Sequence, residues 1–228
     1  MKISLVLGTF RRDHLLELGL ASIVRQNVKN LEILVLNNGD DTSKSRRIAE
    51  QAGAGYFWND RNIGSARSLN LGVQKATGDV VILSNAEMYH IGNTIAELVE
   101  PMTREMAIRT TGQWKSDDGS FLMDMNDANY AALPLCRINL PVLMACFRED
   151  FLHLGGFDEE FIAGGGFDDD DLMRRFEAYG RRLVVTQAKA VHLFHPRPDW
   201  AGWPKLTAQQ EHNRLLFESK KCAGGGRY

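Results

Sequence analysis

The sequence predicts an α/β protein with a single Rossmann-like domain, in which helices cover both faces of a mostly parallel central sheet. Short apolar runs rich in β-branched residues alternate with amphipathic helical patterns through residues 3–83. These runs are apolar on both faces, which is typical of strands buried between two layers of helices. The 228 residues suffice for one elaborated domain with a sizeable core, so we expect residues 1–228 to form one domain.

Four buried strands and three helices are predicted in the first half of the chain. Each strand is a short apolar run that a turn residue closes, as Gly8 does after the first. Each helix carries apolar residues at helical spacing, such as Leu16, Leu20 and Ile23 in the first. The predicted strands are residues 3–7, 31–36, 56–58 and 80–83, and the predicted helices are residues 13–26, 43–52 and 63–76.

The carboxyl ends of these strands form the predicted binding edge. Ligands of open parallel sheets bind outside the carboxyl ends of the strands, where the connecting loops meet. Three loops lie at that edge, at residues 8–12, 37–41 and 84–89.

The second half of the chain is less regular. A glycine-rich stretch at residues 155–166 precedes a predicted helix, and an acidic loop occupies residues 115–135. The predicted helices are residues 93–101, 168–179 and 207–220, and the predicted strands are residues 106–114, 140–147, 183–186 and 190–194.

The composition argues against several classes of protein. The sum of Lys and Arg is 27 and that of Asp and Glu is 29, so a net charge of −2 does not favour nucleic acid or an anionic membrane as the partner. Three cysteines without a C-x-x-C pair indicate neither a disulfide framework nor a zinc ribbon, which fits a reducing compartment. No apolar run reaches the length of about 18 residues that spans a bilayer, so we expect no transmembrane segment and a cytoplasmic location.

Four consecutive aspartates at residues 168–171 open one predicted helix. The apolar stripe of that helix turns Asp168 and Asp169 toward the molecule. Two neighbouring carboxylates repel, and one of them then has a raised pKa, as a general base requires. Acids in a first helical turn also suit the helix dipole, so catalysis and capping are both open interpretations. The stripe consists of Leu172, Met173, Phe176 and Tyr179, and the predicted outward pairs are Asp170 with Arg174 and Asp171 with Arg175.

The order and spacing of the motifs resemble glycosyltransferase family 2, the inverting GT-A class, over most of residues 3–195. ISLVLGTFRR resembles the family's VSVVIPTYNR, and EILVLNNGDD resembles EIIVVDDGS. GGFDEEF followed by GGFDDDDL resembles the C-terminal galactosyltransferase-type segment. The resemblance implies a GT-A fold and an enzyme that moves a sugar from a nucleotide-diphosphate sugar, with UDP-hexose or UDP-N-acetylhexosamine as the expected donor, to an acceptor hydroxyl.

The resemblance also implies which residues bind the donor. The N-x-G-x-A-x-x-x-N-x-G helix of the family corresponds to the segment from Asn62 to Gly72, where Arg67 is the expected nucleotide contact. A lid at residues 196–204 is expected to close Trp203 or Trp200 over the sugar, although packing on the last helix explains these tryptophans equally well. The nucleotide-sugar site is then predicted to comprise Thr9, Phe10, Arg11, Asn37, Asn38, Asn62, Arg67, Asn85 and Trp203.

A divalent cation, Mn²⁺ or Mg²⁺, is the implied cofactor. The D-x-D position of the family is Asn85-Ala86-Glu87 here, so Glu87 is the expected acidic ligand. The second ligand in the relatives is a histidine after the carboxylate helix, and the match favours His195 over His192. Because Asn85 carries no charge, metal independence is an open alternative.

The implied mechanism assigns Asp169 as the general base and Asp168 as the residue that orients the acceptor. Residues 1–95 are then the nucleotide-sugar half, residues 96–195 the acceptor and catalytic half, and residues 196–228 a lid loop and helix. A glycan, a protein or a small molecule is the expected acceptor, and the charge balance disfavours DNA.

Two other functions stay open on the sequence. A nucleotidyltransferase of the same architecture would need a glycine-rich phosphate loop with a lysine, which residues 8–12 imitate only in part. A non-catalytic protein that binds sugar nucleotides or glycans is suggested by the altered triplet at Asn85, Ala86 and Glu87, whereas the retained carboxylate helix argues against it.

Overall fold

A computed structural model describes residues 1–39, 43–106, 108–115, 143–193 and 208–223. In this part of the chain, strands and helices alternate through the first half and are less regular in the second. The strands are β1 (Ile3–Thr9), β2 (Leu31–Asn37), β3 (Gly55–Trp58), β4 (Val80–Asn85), β5 (Met88–His90), β6 (Ile108–Lys115), β7 (Met144–Phe147) and β8 (Leu183–His192). The helices are α1 (Asp13–Val24), α2 (Ser43–Gln51), α3 (Ser65–Lys75), α4 (Thr94–Val99), α5 (Arg148–His153), α6 (Asp168–Ala178) and α7 (Ala208–Ala223).

The described strands form one sheet with the order β3-β2-β1-β4-β7-β6-β8-β5. Strands β3, β2, β1 and β4 are parallel to one another, as are β6 and β8, whereas β7 and β5 run antiparallel to their neighbours. Thr9 at the end of β1 pairs with Asn37 of β2, and Gly8 pairs with Asn85 of β4. The predicted α/β architecture with a mostly parallel central sheet is therefore confirmed.

Helices cover both faces of the sheet. Side chains alternate between the two faces of a strand, so Leu5 and Leu7 of β1 pack on one side and Val6 packs on the other. The first side contains apolar residues of α1, α2 and α4, and the second contains those of α3, α5 and α6. No helix in the described part of the chain is both long and apolar enough to cross a bilayer.

The structure differs from the predicted elements in three places. Strand β5 lies inside the predicted loop at residues 84–89, because three residues are too few to show a strand pattern. Helix α5 was not predicted. The two strands predicted at residues 183–186 and 190–194 are one strand, β8. Its register against β6 shifts between Thr111 and Gly112, and this irregularity lets the strand continue through the polar residues.

Candidate active site

The candidate site begins where β1, β2 and β4 end side by side. The backbone N–H of Asn38 donates to the carbonyl of Thr9 over 2.8 Å, and that of Ala86 donates to the carbonyl of Gly8 over 2.9 Å. The loop after β1 turns at Arg11, whose φ of 54° lies in the left-handed region that non-glycine residues rarely adopt. This turn directs the segment from Phe10 to Arg12 over the strand ends.

A buried carboxylate lies in the loop after β4. Glu87 has a side chain that is only 7% exposed, and its Oε1 accepts a hydrogen bond from Nη1 of Arg12 over 2.8 Å. Nε2 of His192 lies 3.7 Å from the same oxygen. The pairing of Met88 with His192 and the hydrogen bond from Leu193 N to Glu87 O, at 2.7 Å, fix these neighbours together. A charge this deeply buried needs such a partner, because burial without one is strongly unfavourable.

The pair formed by Glu87 and His192 fits a divalent cation whose remaining ligands come from a bound nucleotide. A carboxylate oxygen and an imidazole nitrogen are both ligands of Mn²⁺-type cations in proteins. In the described residues, no group of three or more His, Cys, Asp or Glu residues converges on one point. Magnesium-type sites at nucleotides commonly use one or two protein ligands and complete the shell with phosphate oxygens. His195, the favoured histidine of the prediction, lies outside the described residues.

Asn37 is turned into the protein at the end of β2. Its Nδ2 donates to the hydroxyl of Tyr56 over 2.8 Å and to that of Ser45 over 3.3 Å, and its Oδ1 accepts from the backbone of Gly39 over 3.2 Å. This amide therefore ties β2 to α2 and β3. Its predicted contact with a nucleotide base stays a prediction.

Asn38 connects the strand edge to the loop before α3. Its Nδ2 donates to Oδ1 of Asn62 over 2.8 Å, and its Oδ1 accepts from the backbone of Ile63 over 2.9 Å. Oδ1 of Asn62 also accepts from the backbone of Gly64 over 3.0 Å. Two of the predicted donor-site residues thus contact each other and position this loop.

Two aromatic residues border the edge next to Asn38. The guanidinium of Arg11 lies 5.1 Å from the ring centre of Phe10, and a Cβ at Gly39 would lie 2.6 Å from that ring. Trp58, at the end of β3, is 45% exposed and donates from Nε1 to the carbonyl of Gly39 over 2.7 Å. The sequence analysis missed Trp58. Its place at the end of a short strand is visible in the sequence, and an exposed aromatic face of this kind can stack on a nucleotide base.

Thr9 lies beneath this border. Its side chain is buried, and its Oγ1 has no hydrogen-bond partner in the described part of the chain. A buried hydroxyl without a partner is unusual, because most buried polar groups are satisfied. Asn85 is half-buried at the end of β4.

Arg67 lies in a cleft between α3 and the glycine-rich loop. Its Nε donates to Oε2 of Glu159 over 2.7 Å, and Nδ2 of Asn70 donates to Oε1 of the same carboxylate over 3.2 Å. Gly64 and Ala163 meet in the same cleft, where a Cβ on the glycine would lie 3.2 Å from that of the alanine. The loop that Asn62 positions therefore contacts the segment that leads to the carboxylate helix.

The carboxylate helix, α6, begins at Asp168, and its four aspartates differ in burial. Residues 168–170 are half-buried, whereas Asp171 is buried. Asp171 accepts from Nη2 of Arg174 over 2.6 Å and from Nε of Arg175 over 2.8 Å, and Arg175 also donates to the carbonyl of Leu154 over 2.8 Å.

The predicted outward orientation of Asp171 is therefore wrong, although its pairing with Arg175 is present. The apolar stripe was placed one residue too far along the helix, since Met173 is only half-buried while Arg175 is buried. The buried positions of α6 are Asp171, Leu172, Arg175 and Phe176.

Burial, together with the neighbouring negative charges of Asp168 and Asp170, raises the pKa of Asp169 to about 7. Burial also raises the pKa of Asp168. The backbone N–H of Asp170 donates to Oδ1 of Asp169 over 3.0 Å, which orients that carboxyl group. A carboxyl group that titrates near neutral pH suits proton transfer.

Helix α7 holds the loop that precedes the aspartates. Asn213 is fully buried, and its Oδ1 accepts from the backbone of Ile162 over 2.8 Å. Its Nδ2 donates to the carbonyls of Ile162, over 2.9 Å, and Gly166, over 2.8 Å. A Cβ at Gly165 would clash with that Nδ2 and would lie 2.8 Å from the backbone carbonyl oxygen of Gln209, so only glycine fits there. The sequence analysis missed Asn213, because nothing local in an amphipathic helix indicates a contact with residues about fifty positions earlier. Trp203 and Trp200 lie outside the described residues.

Comparison with known proteins identifies the family. The model of glycosyl transferase family 2 matches residues 4–163, and that of the N-terminal domain of galactosyltransferase matches residues 141–197. The chain belongs to glycosyl transferase family 2. An uncharacterized glycosyltransferase of Rickettsia bellii (strain RML369-C) is 22% identical in an alignment of 162 positions that covers 65% of this chain and 24% of that protein.

Solved glycosyltransferases share the fold of this family 2 chain. A mannosyltransferase from Pyrobaculum calidifontis in complex with GDP-Man and Mn²⁺ aligns with a TM-score of 0.74 and 19% identity, over 100% of this chain and 66% of that one. GalNAc-T7 with UDP, GalNAc and Mn²⁺ aligns with a TM-score of 0.71 and 18% identity, over 96% of this chain and 48% of that one. The predicted GT-A fold is confirmed. The chain spans only 24% of the Rickettsia relative, and 66% and 48% of the two solved chains.

Proposed function

We propose that this family 2 chain is an inverting glycosyltransferase that moves a sugar from a nucleotide-diphosphate sugar to an acceptor hydroxyl. The observation that carries the proposal is the half-buried pair of Asp168 and Asp169 at the start of α6, where burial raises the pKa of both carboxyl groups. A chain of contacts from Asn38 through Asn62 and Gly64 to Ala163 joins the strand edge to the loop before this pair.

The nucleotide of the donor binds at the edge where β1, β2 and β4 end side by side. The proposed contacts of the base and ribose are Thr9, Phe10 and Arg11, together with Asn37 and Asn38. Further donor contacts are proposed for Asn62, Arg67, Asn85 and Trp203. UDP is the proposed nucleotide, and GDP is the alternative, because one structural relative was solved with each.

Glu87 and a histidine, His192 or His195, are the proposed ligands of Mn²⁺ or Mg²⁺. Such a cation, when bound, neutralises the charge of the departing diphosphate. The proximity of His192 to Glu87 supports this histidine, and both relatives with bound nucleotide contain Mn²⁺.

At the acceptor end, Asp169 accepts the proton of the attacking hydroxyl, and Asp168 orients that hydroxyl. The hydroxyl attacks the anomeric carbon on the face opposite the departing diphosphate, which inverts the configuration. A general base contributes most when its pKa lies near the working pH, which the pKa of about 7 allows for Asp169. The proposed acceptor is a glycan, a protein or a small molecule rather than DNA.

A thermal-shift screen tests the donor site. The protein is heated with UDP, GDP, dTDP and their sugars, each with and without Mn²⁺. A ligand that binds only the folded state raises Tm, so one nucleotide series should do so more strongly with Mn²⁺. Glu87→Gln should lose the Mn²⁺-dependent part, whereas Glu97→Gln, a change at an exposed residue of α4, should retain it. The donor site is wrong if no nucleotide raises Tm, and the assignment of Glu87 as a metal ligand is wrong if Glu87→Gln responds as the wild type does.

A further inference from the structure

Arg12 occupies the position beside Glu87 that a divalent cation would need. Its Nη1 lies 2.8 Å from Oε1 of Glu87, and Nε2 of His192 lies 3.7 Å from that same oxygen. A guanidinium and a metal ion are both positively charged and both require this oxygen. They therefore compete for Glu87, and the sequence analysis assigned no role to Arg12.

The backbone of Arg12 is fixed while its side chain can change partner. Its carbonyl accepts from the backbone of Leu15 over 3.0 Å and from that of Leu16 over 2.9 Å, so the residue is held at the start of α1. The side chain is 29% exposed, whereas that of Glu87 is 7% exposed. An arginine side chain is long and flexible, so its charged end can move from a carboxylate to another anion while the backbone stays in place.

We propose that Arg12 exchanges partners during donor binding. It neutralises Glu87 in the free protein, and it moves to the diphosphate when cation and nucleotide bind together. This inference rests on the proposed function, since it requires a nucleotide diphosphate at the strand edge. A planar guanidinium can donate two parallel hydrogen bonds to phosphate oxygens. The positive charge of Arg12 therefore gains a new anionic partner when it leaves Glu87.

The exchange couples the two ligands. A cation alone must displace Arg12 from Glu87 and leave the guanidinium without a partner, so it binds weakly. A nucleotide with the cation supplies that partner, so the pair binds together. If Arg12 only supported Glu87, its replacement would weaken both the binding of the cation alone and the binding of the nucleotide with the cation. If Arg12 exchanges partners, its replacement strengthens the first and weakens the second.

The test measures two affinities in wild type and in Arg12→Gln. Binding of Mn²⁺ alone is followed by electron paramagnetic resonance, and binding of UDP and of GDP in saturating Mn²⁺ is followed by calorimetry. Loss of one charge-assisted hydrogen bond corresponds to about tenfold in affinity. We expect Arg12→Gln to bind Mn²⁺ alone about tenfold more tightly and the nucleotide about tenfold more weakly. Arg25→Gln is the matched control, because Arg25 lies just after the same helix and donates to Tyr89.

The outcomes separate the inference from the proposed function. If Arg12→Gln binds Mn²⁺ no more tightly than the wild type, or binds nucleotide equally well, the inference alone is wrong. If the wild type binds neither UDP nor GDP with Mn²⁺, the proposed function fails and the inference fails with it. Arg12→Lys keeps the charge without the paired donors. Arg12→Lys should therefore bind Mn²⁺ alone as weakly as the wild type does, and it should keep part of the nucleotide affinity. Strong binding of Mn²⁺ alone by Arg12→Lys would contradict the exchange.

Discussion

Neighbouring aspartates at the start of α6 differ in their physical state. Asp171 is buried and accepts hydrogen bonds from two arginines, so its charge is compensated. Asp169 is half-buried beside Asp168, and burial raises its pKa to about 7. Asp169 and Asp171 are only two positions apart, but successive side chains of a helix are rotated by about 100°. This rotation places the candidate base and the structural ion pair in different surroundings.

The raised pKa of Asp169 predicts a specific dependence of stability on pH. An acid whose pKa is higher in the folded than in the unfolded state favours folding when protonated, and this stabilisation is lost as the pH rises through about 7. Asp169→Asn removes the ionisation. We expect it to raise the free energy of unfolding at pH 8 by on the order of 1 kcal/mol or more, and to change it little at pH 4.

Urea denaturation at the two pH values checks this expectation. Glu177→Gln, a change at an exposed residue of the same helix, is the control and should behave alike at both. An equal effect of Asp169→Asn at pH 4 and pH 8 would show that its pKa is not raised.

Asp171→Asn should instead destabilise the fold. The change leaves the buried Arg175 without its carboxylate partner, and breaking one side of a buried ion pair costs roughly 3 kcal/mol. The free energy of unfolding, from urea denaturation at pH 7, measures the loss. Glu211→Gln is the matched control, because Glu211 forms a similar pair with Arg214 on the surface of α7, where little change is expected. A loss no larger than that of the control would contradict a structural role for Asp171.

At the scale of elements, α7 acts on the candidate base from a distance. Asn213 makes three hydrogen bonds to the loop that precedes α6. Lys220 of the same helix forms ion pairs with Asp158 and Glu160, at 2.6 and 2.7 Å, near the start of this region. The last helix of the described chain therefore fixes the glycine-rich loop and, through it, the first turn of α6.

Asn213→Ala should reduce turnover more than nucleotide binding. The variant leaves the backbone groups of Ile162 and Gly166 without their buried partner, so the loop and the following aspartates lose their fixed position. We expect kcat to fall by about tenfold or more while the nucleotide affinity changes little. Steady-state kinetics and calorimetry measure the two effects. Ser219→Ala, an exposed change on the same helix, is the control, and equal losses in kcat and nucleotide affinity would contradict the role.

The sequence predicts elements best where the signal is local. The apolar runs of β1, β2 and β4 follow from periodicity and turn residues, and so does the acidic start of α6. Strand β5 escapes prediction because it consists of three residues, and its partner β8 is about a hundred residues away. Asn38 and Asn62 were predicted as donor-site residues from motifs, and the structure adds that they form a hydrogen bond with each other.

Two of the residues that sequence reasoning missed share one property. Arg12 and Asn213 are defined by contacts with residues that are distant along the chain, Glu87 for the first and Ile162 for the second. No local pattern encodes such contacts. The burial of Asp171 was missed for a related reason, since the true inner face of α6 includes a buried arginine, which a purely apolar stripe does not include.

At the scale of the whole molecule, the sheet brings the two halves of the proposed reaction together. The parallel strands β1, β2 and β4 present the donor edge. Strand β8 pairs with β5 beside Glu87, and thereby brings a histidine from the second half of the chain to the acid of the first. The loop network from Asn38 to Ala163 then connects this edge to α6. The order of β7, β6 and β8 that achieves this depends on long-range pairing and could not be predicted from local patterns.

Asp169 is the proposed general base of a glycosyl transfer. Turnover against pH tests this assignment directly, measured as the nucleoside diphosphate released when the sugar leaves the donor that the thermal-shift screen identifies. We predict that kcat of the wild type rises through pH of about 7, where Asp169 loses its proton. Asp169→Asn should lower kcat about a hundredfold or more and retain nucleotide affinity. Near-normal turnover in Asp169→Asn, with the loss appearing in Asp168→Asn instead, would contradict the claim.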